Sequence, residues 1–156
     1  MVKITTLVDD SPGRPPLLAE HGFSVLIEKD GFRLLFDTGG GAAFRENAQT
    51  LGVTFDSLDA LALSHGHHDH TGNLTAVLSG GFAGKVYCHP DVALRRYSRR
   101  DNGTYPEIGM SRPAARQLSA LDPTRRIETP GFTEIVEGIF LTGAVPRQTV
   151  DEDVGG

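Results

Sequence analysis

Apolar and polar residues follow a period of two through much of the first third of the chain, punctuated by turn residues. "KITTLV" (Lys3–Val8) predicts a strand, and "DDSPGRPPLL" after it predicts a Pro- and Gly-rich loop. "SVLIEKDGFRLLFDTG" predicts a hairpin, because two β-prone runs meet at Asp30-Gly31, a pair suited to the left-handed turn conformation. Its second strand runs into Asp37-Thr38-Gly39 and two further glycines, which predict a loop. From Ala42 to Gly52 the spacing places Phe44, Ala48 and Leu51 on one face, predicting a helix that Gly52 ends. "LDALALS" predicts a short buried strand. Thr71-Gly72-Asn73 is expected to cap a helix over Leu74–Leu78.

Further on, "KVYCH" (Lys85–His89) predicts a strand and "PDVALRRYS" a helix with Pro90 in its first turn. The pattern weakens from Arg99 to Arg112, as expected of a long loop or insertion. "PAARQLSAL" predicts a short helix, and "FTEIVEGIFLTG" restores strand alternation around a turn at Glu137-Gly138. Residues 148–156 are acidic and end in glycine, so a loose tail is expected after a single domain over 1–147. Strands interleaved with helices imply layered α/β (α+β) architecture.

Composition adds exclusions. A net charge of −5 argues against a nucleic-acid surface, which needs a basic surplus. No apolar stretch is long enough for a signal peptide or a bilayer span, so no membrane partner is expected. The single cysteine, Cys88, fits a reducing compartment and a small buried strand residue, and the expected location is cytoplasmic.

The chemistry concentrates in "LSHGHHDHTGN", Leu63–Asn73, where four of the six histidines fall within six positions. His65, His67, Asp69 and His70 form H-x-H-x-D-H. On an extended segment, residues two apart share a side, so His65 and His67 can chelate one ion. Asp69 and His70 can swing toward a neighbouring ion where the chain enters the helix near Gly72. Imidazole and carboxylate suit zinc, iron or manganese. Gly66 is expected to let the backbone bend without a side chain in the way. A solvated polar loop is the alternative, and the spacing after a buried strand weighs against it.

"SHGHHDHTGN" resembles the metal-binding motif of the metallo-β-lactamase superfamily, mostly metal-dependent hydrolases with an αββα sandwich. "AEHGFSVLIEKDGFRLLFDTGG", "VYCHPDVALRRYS", "EIGMSR" and "GIFLTGAVPR" extend the resemblance. Together they are similar to the branch containing archaeal dihydropterin–ribofuranosylaminobenzene-phosphate synthase-like proteins. The resemblance implies that His65 and His67 bind one metal and Asp69 and His70 a second, with zinc expected and manganese or iron as alternatives. Asp69 would be the catalytic carboxylate, helping to orient the attacking hydroxide. Asp37, in "FDTG", would hold the ligands from behind. His68 stands where this branch commonly has Tyr and is expected near the pocket mouth.

A complete site in that superfamily also takes a third histidine, usually a bridging aspartate, and a final histidine. After His70 the chain offers His89, whose place before Pro90 reads as structural. The resemblance therefore implies about the N-terminal half of the fold plus an insertion. Three outcomes are expected of such a half: a continuation, a homodimer that covers the open sheet, or convergence of all four ligands on one ion.

Glu20-His21 precedes the hairpin, and His21 is a candidate substrate contact. Arg95, Arg96, Arg99 and Arg100 form a basic run that is either a solvated face or an anion clamp. Arg147, in "VPR", belongs to the same class of candidate. The expected activity is metal-dependent hydrolysis of a small-molecule ester, amide or phosphoester, with the arginines favouring a phosphorylated substrate. A non-catalytic metal-binding module is the alternative.

Overall fold

The structure is a computed structural model, and it describes residues 1–11, 13–146 and 148. Its centre is a six-stranded sheet in the order β1 (Val2–Val8), β2 (Ser24–Lys29), β3 (Phe32–Phe36), β4 (Ala60–Ala62), β5 (Lys85–Cys88) and β6 (Arg126–Glu128). The first three strands are antiparallel neighbours, and β3 through β6 run parallel. Asp30 (φ 51°) and Gly31 (φ 88°) form the two-residue turn between β2 and β3, both in the left-handed region that such hairpins require. Parallel neighbours need crossovers, which the helices supply. They are α1 (Ala42–Thr50), α2 (His68–Thr71), α3 (Leu74–Ser79) and α4 (Arg112–Ser119).

Strand alternation divides the sheet into two faces. Leu26, Leu35, Leu61 and Val86 sit side by side on four adjacent strands and are essentially inaccessible to solvent. Phe44 of α1, Leu74 and Val77 of α3, and Leu118 of α4 close over this face in one core. The opposite face carries Ile27, Leu34, Phe36, Ala60, Ala62, Tyr87 and Ile127. Against it packs a separate hairpin, β7 (Thr133–Val136) and β8 (Ile139–Leu141), through Ile135, Ile139 and Leu141. Val2 and Ile4 of β1 lie 55% and 64% exposed.

Several local expectations are corrected. The helix expected from Pro90 is a single 3-10 turn, Pro90–Ala93. The Arg96 guanidinium folds back onto the carbonyls of Asp91, Val92 and Leu94, and Leu94 turns extended. Residues 96–108 then form an arm that pairs with itself, Tyr97 opposite Glu107, with backbone bonds from Ser98 to Pro106 and Arg100 to Thr104. The expected loop is thus an ordered hairpin-like excursion as far as Ile108. Asn73 stands at the start of α3 without capping it through its side chain, because its amide donates instead to the carbonyls of Thr38 and Gly41. The expected acidic tail lies almost wholly outside the described residues.

Candidate metal centre

Parallel strands end on the same side of a sheet, and loops from their carboxyl ends meet there. Asp37 follows β3, Ser64 and His65 follow β4, and His89 follows β5. Two backbone bonds continue the ladder beyond the strands, Asp37 N–H to Ala62 and Leu63 N–H to Tyr87. The loop after β3 is laced to the motif: Thr38 N–H donates to the His70 carbonyl at 2.7 Å and Gly72 N–H to Gly39 at 2.9 Å. Glu20 stabilises the same loop from outside, accepting from the N–H groups of Gly41 and Ala43 at the start of α1.

Asp37 is fully buried, at φ 58°. Its carboxylate accepts from the Ser64 N–H (2.8 Å), the Ser64 hydroxyl (2.6 Å) and His70 Nδ1 (2.8 Å). Engaging Nδ1 leaves Nε2 as the free donor atom of His70 toward a cation. His65 Nδ1 lies 2.9 Å from the Ser64 hydroxyl. The His65 ring centre is 4.5 Å from that of His67 and 4.2 Å from that of His70. Asp69 Oδ2 is 3.5 Å from His70 Nε2. The four motif residues therefore gather in one group, with His65 between the two other rings.

The gathered rings shift one another. Burial lowers the pKa of His65 to about 4, with the neighbouring His70 and His67 adding to the effect. Burial also lowers that of His67. For His70 burial pulls the same way, but the hydrogen bond and charge of Asp37 outweigh it and the pKa is raised. His65 and His67 are thus neutral near pH 7, the state that ligates metals. Among the described residues, no three His, Cys, Asp or Glu side chains stand already arranged around one ion. The donor chemistry nevertheless suits a borderline divalent cation: three imidazoles and a carboxylate, one imidazole aimed by a buried carboxylate.

The remaining candidates separate. His21, largely exposed, bridges two acids, with Nδ1 3.1 Å from Asp10 and Nε2 3.4 Å from Asp69. His68 is exposed, its Nδ1 3.3 Å from the Ile108 carbonyl. Arg95 is spent on a two-point pair with Glu107, at 2.9 and 2.7 Å. Arg147 lies outside the described residues. Gly66 is not among the glycines in the left-handed region, so it is the missing side chain and not a special φ that the position uses. It serves for close approach, because a Cβ there would collide with the Val92 carbonyl oxygen. Sequence reasoning missed Ser64, which touches both Asp37 and His65. Its one signal is its position between the apolar strand and the first histidine.

The profile of the metallo-beta-lactamase superfamily matches residues 18–149. An uncharacterized protein of Methanocaldococcus jannaschii is 35% identical over 150 residues, which are 95% of this chain and 54% of that protein. The same organism's 7,8-dihydropterin-6-methyl-4-(beta-D-ribofuranosyl)-aminobenzene-5'-phosphate synthase is 35% identical over 101 residues, 58% of this chain and 33% of the synthase. The chain thus spans about half or less of the length of these relatives. A metallo-beta-lactamase candidate from Thermotoga maritima shares the fold, with a TM-score of 0.53 at 17% identity, covering 87% of this chain and 62% of that one. By the profile match over most of its length, and with a mixed sheet and a histidine group at its strand ends, the chain belongs to the metallo-beta-lactamase superfamily.

Proposed function

We propose that the protein is a metal-dependent hydrolase acting on an ester, amide or phosphoester of a small molecule. The observation that carries this reading is the gathering of His65, His67, Asp69 and His70 at the strand ends, with Asp37 buried behind His70. Those four residues would hold the cation, zinc first among the candidates. A bound divalent cation supplies Lewis acidity, acidifying water toward neutrality and polarising a carbonyl or phosphoryl oxygen. The protein's own contribution is orientation. Asp37 fixes the His70 tautomer, Ser64 positions His65, and Asp69 presents a carboxylate within reach of both His70 and His21. The similarity to a synthase named for a 5'-phosphate compound supports a phosphorylated substrate.

A second reading, a metal-binding module without turnover, is favoured by the lack of a ready-made three-ligand set among the described residues. One experiment separates the two. Metal content is measured on the purified protein and on His67→Ala, and hydrolysis of a phosphodiester, a lactone and a β-lactam is assayed with added zinc or manganese. Stoichiometric metal in the wild type, lost in His67→Ala together with hydrolysis, is the expected result. Metal without turnover of any class selects the module, and full metal retained by His67→Ala overturns the ligand assignment.

A further inference from the structure

Beside His65 the carboxyl ends of the parallel strands open into a cleft of about 590 Å³, a volume that admits a small organic molecule. Phe36, Leu63, Phe140 and Leu141 make part of its lining apolar. Arg96 supplies its formal charge, and no aspartate or glutamate lines it among the described residues. In a chain of net charge −5 this is a local reversal of sign.

Two lining side chains are tied to one turn, Pro90–Ala93. His89 Nδ1 accepts the Asp91 N–H at 3.1 Å, so the neutral ring carries its proton on Nε2 and is a donor there. Arg96 grips the far end of the turn. Its Nη1 donates to Val92 (3.2 Å) and Leu94 (2.9 Å), and its Nη2 to Asp91 (3.0 Å). Nε and one Nη2 hydrogen have no acceptor among the described residues. Both donors are therefore held in place before any ligand arrives, which lowers the entropy lost on binding.

We propose that this cleft binds a small organic anion with a flat apolar body, its phosphate or carboxylate held by His89 Nε2–H and Arg96, its ring against Phe36 and Phe140. Because His65 lines the same cleft, the bound molecule would lie beside the reaction centre, and that clause rests on the function proposed above.

The test measures binding, not turnover, on chelator-treated protein. Phenyl phosphate, benzoate and phenol are titrated by calorimetry and by chemical-shift perturbation. At least one anion should bind tenfold or more tightly than phenol, and the tighter of the two identifies the acidic group. His89→Asn keeps an oxygen that can accept the Asp91 N–H but lacks the Nε2 donor. It should weaken the anion at least fivefold and leave phenol unchanged, as should Arg96→Gln, with melting curves confirming the fold of each. If Arg96→Gln fails to fold, His89→Asn alone decides. Phenol binding as tightly as both anions, or His89→Asn binding them within twofold of wild type, overturns the proposal. Failure of hydrolysis in metal-loaded protein would leave this result standing, whereas absent anion binding would leave hydrolysis of neutral esters untouched.

Discussion

Asp37 shows how much one buried carboxylate can organise. It sits in the left-handed backbone region, where a non-glycine residue is uncommon, and accepts three hydrogen bonds from two segments of the motif loop. Asp37→Asn keeps the shape and loses the charge. It should destabilise the fold by about 1–3 kcal/mol, the range for losing hydrogen bonds to a charged group, and weaken metal affinity by roughly 10–100-fold. Denaturant titration and competitive metal titration measure the two separately. The histidines behind it predict a pH dependence. In the fold His65 stays neutral down to about pH 4, while in the unfolded chain it takes its proton near its ordinary 6.5. The unfolded state therefore binds more protons in that window, and His67 acts in the same direction. His70 acts oppositely: its stabilisation is complete below 6.5 and is lost as pH rises through its raised value. Metal-free protein should accordingly lose melting temperature as pH falls from 6.5 to 4. A flat profile across that range would contradict the burial of these rings.

At the scale of elements, what the sequence made legible followed periodicity. The β2–β3 hairpin, α1 and β4 are where the pattern places them, because alternating or helical spacing there coincides with good turn chemistry at Asp30-Gly31 and Gly52. The short helix predicted near Pro113 is α4, begun by Ser111, whose hydroxyl accepts the Ala114 N–H. β6 was missed, because "RIE" offers a single apolar side chain, Ile127, and pairs only with β5. The arm from Arg96 to Ile108 was equally hidden, since its pairing is backbone to backbone and its tip is polar. Of the site, the four donors and Asp37 were visible as residue types. The contacts of Ser64 were not, because it reaches Asp37 across separate loops; Arg96 was visible as one of a basic run, but not that it folds back onto the Pro90–Ala93 turn that His89 also caps. Gly66 belongs to this hidden class too. Gly66→Ala should push the Pro90–Ala93 turn away and cost about 1–3 kcal/mol, the usual range for overpacking, measured by thermal denaturation.

Across the whole molecule the two sheet faces are unequally covered. One is closed by α1, α3 and α4, while the β7–β8 hairpin packs on the other and leaves the β1 end bare. Phe132 and Phe140, stacked at 5.1 Å, are also exposed on that hairpin. The native protein should bind a hydrophobic dye, and Ile4→Lys should reduce the signal while changing stability by less than about 0.5 kcal/mol, as expected for an exposed position. Fluorescence titration beside a melting curve checks both. The distance along the chain between Asp37 and His70 carries a further meaning. A synthetic peptide copied from Leu63–Asn73 would own every imidazole and carboxylate of the motif, yet nothing to aim them. Any selectivity among cations at the proposed site would thus be a property of strand neighbours, inherited from the way β3 and β4 lie side by side, and could not be cut out with the motif.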